Sequence, residues 1–333
     1  MQKLGIALVT NVFILTASLL TAQPVLAQTT IKIDGSSTVF PIAEAVAEEF
    51  QALKKGQTRV TVGIAGTGGG FKKFCRGETD VSNASRPILK EEMDACKAAG
   101  ISYIELPIAF DALTLAVHPQ NTWVKDMTLA DLKKIWSPDA QGKIMKWKDV
   151  RPEWPDLPLK LYGAGADSGT FDYFTAAVNG KAKSIRADYT PSEDDNVLVQ
   201  GIENDKGALG FIPYAYYAPH AARMKALGID GGKGVVLPSE KTVIDGSYAP
   251  MSRPLFIYVK SSEAKRPEIK EFIEFFLTNG EPLIQEVKYV PLPKSAYTTS
   301  LTRFSTGETG TGFGGTPEVG LSITQILAKK PVH

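Results

Sequence analysis

One short segment governs how this chain folds: Ile33-Asp34-Gly35-Ser36-Ser37-Thr38-Val39-Phe40-Pro41. It is typical of a strand that ends in a turn with three hydroxyl side chains and passes into a helix, since Pro41 fits a first helical turn. Hydroxyls in that place either cap the helix or, with its free N–H groups and dipole, bind an anion. The segment therefore predicts an α/β unit and makes Ser36, Ser37 and Thr38 candidate anion ligands.

The same pattern of strand, small or hydroxyl residues and helix occurs at two further places. One is Gly66-Thr67-Gly68-Gly69-Gly70, which we expect to form a turn before a short helix at 71–75. It lacks the Lys-Ser/Thr ending of a nucleotide-binding loop and the spaced glycines of a dinucleotide fold. The other is Asp167-Ser168-Gly169-Thr170, ahead of a second helix. Thr67, Ser168, Gly169 and Thr170 are therefore further candidate anion ligands.

Two ionisable residues lie where a site would form. Arg86 follows a predicted strand ending at Ala84, and ligands of open α/β sheets bind beyond the carboxyl ends of the strands. Asp111 interrupts an apolar stretch at 101–117, which we interpret as two strands. An acid inside such a stretch is either a paired structural residue or part of a site.

The first 27 residues predict a secretory signal peptide. A basic residue, Lys3, precedes an apolar core, and small residues precede a break after Ala27. A membrane anchor is the alternative, but polar residues dilute the apolar run and no basic flank follows it. We expect export with cleavage after Ala27. Lipid attachment is not expected, because no cysteine lies in or near this segment.

Composition and cysteine content narrow the function classes. Lys and Arg number 37 and Asp and Glu 36, whereas a nucleic-acid-binding protein would show a basic excess. In an exported chain the two cysteines, Cys75 and Cys96, indicate one disulfide. The three histidines are widely scattered and show no metal-ligand spacing, so no metal site is predicted.

Four segments in this order resemble the phosphate-binding proteins of phosphate ABC importers (PstS type), and the cyanobacterial branch most of all. They are Asp34-Gly35-Ser36-Ser37-Thr38, Gly66-Thr67-Gly68-Gly69-Gly70, Asn83-Ala84-Ser85-Arg86-Pro87 and Asp167-Ser168-Gly169-Thr170. The resemblance implies an α/β, type II periplasmic-binding-protein fold, with two α/β lobes joined by two crossing strands. We expect the first lobe to comprise residues 28–111 plus 254–333, and the second lobe residues 112–253.

The resemblance also implies the function and the site. It implies a periplasmic monomer without a cofactor or enzymatic activity, which captures inorganic phosphate and delivers it to the permease of an ABC importer. The expected phosphate ligands are Ser36, Ser37, Thr38, Thr67, Arg86, Ser168, Gly169 and Thr170.

The chain departs from better-known members at two positions of the expected site. Ala164 stands where they have an arginine, and Arg86 stands where they have an aspartate. The carboxylate that accepts the phosphate proton is therefore open, with Asp111 and Asp167 as candidates. Such a carboxylate accepts a hydrogen bond from a phosphate O–H and repels a sulfate oxygen.

Three other functions compete with phosphate capture. The same fold could bind another oxyanion, such as sulfate, molybdate or an organic phosphate. A serine hydrolase using Ser168 is less favoured, because Ala166 and Thr170 occupy the glycine positions of the Gly-x-Ser-x-Gly motif. A purely structural exported protein would leave the hydroxyl-bearing turns unexplained.

Overall fold

The computed structural model describes residues 28–332, so the predicted signal peptide lies outside the described residues. The strands are β1 Thr29–Gly35, β2 Thr58–Val62, β3 Val81–Ala84, β4 Tyr103–Val117, β5 Asp126–Thr128, β6 Lys160–Ala164, β7 Thr190–Ser192, β8 Ala208–Pro213, β9 Lys225–Ala226, β10 Gly228–Asp230, β11 Val235–Val236, β12 Ser252–Lys260 and β13 Val290–Pro291. The helices are α1 Phe40–Leu53, α2 Gly66–Cys75, α3 Lys90–Ala98, α4 Leu129–Trp136, α5 Trp147–Val150, α6 Gly169–Asn179, α7 Asp195–Asn204, α8 Tyr214–Tyr217, α9 Glu240–Ile244, α10 Pro267–Glu286, α11 Lys294–Thr306 and α12 Ile323–Leu327. Over residues 28–332, every helix is too short or too polar to cross a bilayer.

One mixed sheet runs through the molecule in the order β2-β1-β3-β12-β4-β8-β6-β7. We call β2, β1, β3, β12 and the start of β4 the first half-sheet, and the end of β4 with β8, β6 and β7 the second half-sheet. Within each half the outer strands are parallel, whereas β12 pairs antiparallel with both β3 and β4. The parallel strands alternate with helices, as expected for an α/β fold.

The two half-sheets are joined by β4, a single strand of 15 residues that are all buried. This corrects the interpretation of residues 101–117 as two strands, because Asp111 is held within the strand by a partner rather than ending it. Residues 103–112 pair with β12, and residues 113–117 pair with β8. The Leu113 N–H also donates to the Met251 carbonyl at 2.8 Å, so the segment leading into β12 runs beside β4 at the crossing.

Helix α1 covers the first half-sheet for the reason its sequence predicts. Ile42, Val46 and Phe50 recur at helical spacing and are buried, and Pro41 lies in the first turn. The Phe50 ring contacts Phe272 of α10 edge-on at 5.3 Å between centroids. Packing on two sides fixes the start of α1 at the end of β1.

The glycine-rich segment is the first turn of α2 rather than a loop before it, which corrects the expected helix at 71–75. The reason is close packing on β1. A Cβ atom at Gly70 would lie 2.5 Å from the Gly35 Cα. Only glycine lets the helix approach the strand so closely.

A second set of aromatic residues fills the core of the second half-sheet. The Phe174 ring of α6 stacks on Phe211 of β8 at 4.0 Å between centroids, and Trp136 of α4 meets both rings edge-on. These rings are buried, so α6 is fixed against the sheet by its apolar face. The polar start of α6 is thereby held at the edge where β6 ends.

The predicted disulfide between Cys75 and Cys96 is confirmed, and it links the end of α2 to α3. Both residues are buried, at a sequence separation of 21.

We expect the double variant Cys75→Ala/Cys96→Ala to lose about 3 kcal/mol of unfolding free energy, because the open chain gains entropy when unfolded. Urea unfolding monitored by circular dichroism measures the loss. Reductant should destabilise the wild-type chain and leave the variant unchanged, and equal stabilities would contradict the prediction.

Candidate functional site

Hydroxyl side chains from three elements of the first half-sheet meet at its carboxyl edge. Thr38 precedes α1, Thr67 is on the first turn of α2, and Ser85 follows β3. The Ser85 N–H donates to the Thr67 Oγ1 at 3.1 Å, and the two hydroxyl oxygens lie 3.2 Å apart. All three side chains are buried. Sequence reasoning predicted Thr38 and Thr67 and did not select Ser85.

The second half-sheet contributes the start of α6. The Ser168 Oγ caps the helix by accepting from the Thr170 N–H at 3.1 Å, and the Thr170 Oγ1 lies 3.0 Å from the Thr38 Oγ1. A Cβ at Gly169 would lie 2.5 Å from the Ser85 Oγ and 2.6 Å from the Thr67 Oγ1, so only glycine fits there. The structure thus brings the predicted residues of both half-sheets together.

The remaining predicted hydroxyls lie in the turn before α1. The Ser36 Oγ accepts a long hydrogen bond of 3.4 Å from the Val39 N–H within the turn that leads into α1. The Ser37 carbonyl accepts from the Tyr216 hydroxyl at 3.0 Å. Both serines are buried. The turn therefore faces the second half-sheet, and a role of its hydroxyls in anion binding stays a prediction.

An arginine that the sequence analysis did not select lies between the two sets of hydroxyls. The Arg253 Nη2 donates to the Thr38 Oγ1 at 3.1 Å and to the Thr170 Oγ1 at 2.8 Å. The side chain is fully buried on β12. Arg253 lies opposite Asp111 in the β12–β4 register, and no local pattern of the sequence indicates that pairing.

Asp111 is the ion-pair partner of Arg253. The Asp111 Oδ2 accepts from the Arg253 Nε at 3.1 Å and Nη2 at 2.9 Å, and the Oδ1 accepts from the Tyr214 N–H at 3.2 Å. Burial raises the pKa of the Asp111 carboxyl, and Arg253 opposes that rise. Both carboxylate oxygens already have partners, which fits a residue that orients the arginine.

Arg86 is directed away from the hydroxyls. Its Nε donates to the Asp172 Oδ2 at 2.6 Å, and its Nη1 and Nη2 donate to the Glu92 carboxylate at 2.8 Å each. Burial lowers the pKa of Arg86, but the two carboxylates raise it by more. Because Asp172 is on α6 and Glu92 on α3, this buried cluster joins the two halves of the molecule. Phosphate binding by Arg86 stays a prediction.

Asp167 lies at the exposed rim of the site. Its Oδ1 accepts from the Lys72 Nζ at 2.7 Å, and its side chain is 46% exposed. The Asp167 carbonyl accepts from the Gly68 N–H at 2.8 Å, which gives a backbone contact across the cleft. Its carboxylate is thus not among the buried hydroxyls, and its role as proton acceptor stays a prediction.

A third carboxylate, Asp195, lies beside the Ser37 turn. It is the first residue of α7 and is 2% exposed. Burial raises the pKa of its carboxyl to about 7, while a hydrogen bond from the Ser37 hydroxyl and the charge of Arg253 lower it. The adjacent acids Asp194 and Asp195 look alike in the sequence. The side chain of Asp194 caps α7 and is exposed, so only the fold distinguishes them.

A serine hydrolase would need a histidine base beside Ser168, and none lies there among residues 28–332. His220 Nδ1 lies 2.5 Å from a Glu203 oxygen, and His118 Nδ1 accepts from the Gln120 N–H. The Ser168 hydroxyl accepts from its own helix, and no histidine contacts it among residues 28–332. A nucleophilic serine requires such a base.

The chain matches known proteins over most of its length. The model of the PBP superfamily domain matches residues 21–279. Protein SphX of Synechocystis is 48% identical over 90% of this chain and 89% of its own length. Phosphate-binding protein PstS of Staphylococcus saprophyticus is 40% identical over 80% of this chain and 82% of its own length. A phosphate ABC transporter substrate-binding protein from Clostridium perfringens, whose crystal structure contains bound phosphate, is 28% identical in sequence. It superposes on this chain with a TM-score of 0.68, covering 80% of this chain and 100% of that one.

Proposed function

We propose a function from one premise: this chain belongs to the PBP superfamily and, within it, to the family of PstS and SphX. The predicted family and α/β fold class are thereby confirmed. The protein binds inorganic phosphate and delivers it to an ABC importer. As a substrate-binding protein it performs no catalysis of its own.

A single observation supports phosphate as the ligand: hydroxyls from both half-sheets accept hydrogen bonds from one buried arginine. The distances among the Arg253 Nη2, the Thr38 Oγ1 and the Thr170 Oγ1 are all 3.1 Å or less, although these residues are far apart in the sequence. Anions in proteins are bound by such charge-assisted donors and by helix N-termini. The starts of α1 and α6 add their N–H groups and dipoles at the same place. We propose Arg253 and Ser85 as ligands beside the predicted residues.

Binding closes two lobes around phosphate. We propose the boundaries 28–111 plus 254–333 and 112–253 for these lobes, because β4 and the segment leading into β12 cross between the half-sheets there. Contacts between the lobes include Thr38–Thr170 and Gly68–Asp167. An anion that contacts both lobes stabilises the closed state relative to the open state. The closed protein then docks on the importer permease.

The location follows from the signal peptide proposed for residues 1–27. Cleavage after Ala27 releases the chain into the periplasm, where disulfides form and persist. The disulfide between Cys75 and Cys96 agrees with that compartment. We propose that the protein acts there as a monomer.

The experiment that tests this function is titration calorimetry. The mature chain, unfolded to remove ligand and refolded, is titrated with phosphate and then with sulfate. Tight phosphate binding that excess sulfate does not displace supports the function. Tighter binding of sulfate, molybdate or an organic phosphate would assign the fold to another oxyanion. Binding of none of these anions would contradict the proposal.

Loss of the Thr170 hydroxyl tests the proposed site. We expect Thr170→Val to weaken phosphate binding about tenfold, because one donor to the anion is removed from a buried site. Thr170→Ser retains the hydroxyl and should keep the affinity within about threefold of wild type. Thr298→Val, at an exposed position on α11, controls for the substitution itself. Wild-type affinity of Thr170→Val, measured by calorimetry, would place this hydroxyl outside the site.

A further inference from the structure

Neither Asp111 nor Asp167 is well placed to accept the phosphate proton. Both oxygens of Asp111 have partners, and the carboxylate of Asp167 is at the exposed rim. The hydroxyls and Arg253 can donate to any tetrahedral oxyanion, so they do not by themselves distinguish phosphate from sulfate. Selectivity requires a hydrogen-bond acceptor that faces the anion.

We propose that Asp195 is this acceptor, and that its carboxylate excludes oxyanions that carry no proton. The inference rests on the proposed phosphate-binding function. Within residues 28–332 its Oδ2 is buried and has no hydrogen-bond partner. A buried carboxylate oxygen without a partner is rare and unfavourable, so it indicates a group that is completed by a ligand.

The surroundings of Asp195 place it at the anion site. Helix α7, which begins at Asp195, packs on α8, and the Tyr216 hydroxyl of α8 donates to the Ser37 carbonyl at 3.0 Å. Ser37 and the charge of Arg253 both lower the pKa of the Asp195 carboxyl. The next residue after Ser37 is Thr38, whose hydroxyl accepts from Arg253. Helix capping does not explain Asp195, because the Asp194 Oδ1 accepts the Asn196 N–H at 2.9 Å.

Asp172 and Glu193 are two other acids near the cleft that have a buried oxygen without a partner within residues 28–332. The Glu193 Oε1 accepts from the Asp167 N–H at 3.0 Å, so Glu193 supports the rim beside Asp167. The Asp172 Oδ2 is bound to Arg86. Arg86 in turn binds Glu92 on α3. Asp172 therefore belongs to the cluster that joins α3 and α6, whereas Asp195 faces the Ser37 turn and Arg253.

Protonation of Asp195 should change what the site accepts. The groups that act on its carboxyl are Arg253 and Asp111 from the crossing strands, Tyr216 from α8, Tyr289 beside β13, Ser37 before α1 and Asp194 on its own helix. Burial raises the pKa of this carboxyl to about 7. Above that pH the ionised group accepts a phosphate O–H and repels sulfate. Below it the neutral group donates an O–H, which a sulfate oxygen can accept. The affinity of the wild type for sulfate should therefore rise as the pH falls from about 8.5 to about 5.5.

The test compares Asp195→Asn with the matched control Asp194→Asn by calorimetry with phosphate and with sulfate. Asparagine cannot ionise and has an N–H donor, so we expect sulfate to bind Asp195→Asn and the phosphate-to-sulfate affinity ratio to fall at least about tenfold. Its sulfate affinity should no longer depend on pH. Asp194→Asn keeps a good capping residue and should keep the wild-type ratio.

The outcomes separate this inference from the proposed function. An unchanged ratio in a folded Asp195→Asn that still binds phosphate overturns the role of Asp195 and leaves the function standing. A fall in the ratio for Asp172→Asn instead would assign the acceptor to that residue. If Asp195→Asn does not fold, the pH series on the wild type decides, and a sulfate affinity that stays constant with pH overturns the inference. A wild type that binds neither anion rejects the function itself.

Discussion

Replacing Arg253 by methionine is expected to weaken phosphate binding about a hundredfold or more. Arg253 is the charged donor that contacts hydroxyls from both half-sheets. Its removal takes away charge-assisted hydrogen bonds worth about 2.8 kcal/mol or more. Calorimetry with phosphate measures the change. An affinity within about threefold of wild type would remove Arg253 from the site.

The same substitution leaves Asp111 as a buried charge without its partner, so stability must be separated from binding. We expect Arg253→Met to lower the unfolding free energy by about 3 to 5 kcal/mol. The double variant Arg253→Met/Asp111→Leu removes both charges and should recover most of that stability, because an apolar pair of similar volume replaces the ion pair. Phosphate affinity should stay lost in the double variant. Recovery of affinity with stability would mean that Arg253 acts only through folding.

The second large effect is expected at Arg86, for which we expect Arg86→Met to weaken phosphate binding at least about tenfold. A direct contact of Arg86 with phosphate and its ion pairs with Asp172 and Glu92 both predict weaker phosphate binding for this variant. Arg86 binds Glu92 within the first lobe and Asp172 on α6 across the cleft, and the contact with Asp172 exists only while the halves are together. Removing the arginine leaves two buried carboxylates near each other, which opposes closure.

Asp172→Asn separates the two mechanisms at Arg86. If Arg86 acts through closure, this variant removes the ion pair between Arg86 and α6 and should also weaken phosphate binding. If Arg86 contacts phosphate directly, freeing its Nε from Asp172 should leave the affinity unchanged or raise it. Lys183→Met removes an exposed ion pair with Glu91 in the same region and serves as the control, because such pairs contribute little.

The parts of the site that follow strands were predictable from the sequence. Ser36, Ser37, Thr38 and Thr170 sit at the junctions of strand and helix, and carboxyl ends of parallel strands meet at one edge. Local spacing therefore sufficed to place hydroxyls from both halves together. Local spacing also identified the α1 face that packs on the sheet.

Residues whose roles depend on long-range pairing were not predictable in the same way. Arg253 meets Asp111 only because β12 inserts between β3 and β4, and no local pattern specifies that order. Arg86 follows its strand as expected, yet Asp172 and Glu92 decide where its guanidinium lies. Asp195 differs from Asp194 only in which side of α7 the fold buries. In each case a contact between elements far apart in the sequence sets the orientation.

The position of β12 between β3 and β4 also constrains the order in which the chain folds. The strands β1 to β4 come first in the chain, but the strand that joins β3 to β4 begins at residue 252. The first half-sheet therefore stays divided until the chain has continued through nearly all of the second half. Such non-local pairing slows folding and leaves strand edges exposed meanwhile. Until β12 pairs with them, the facing edges of β3 and β4 are consequently open to pairing with other chains.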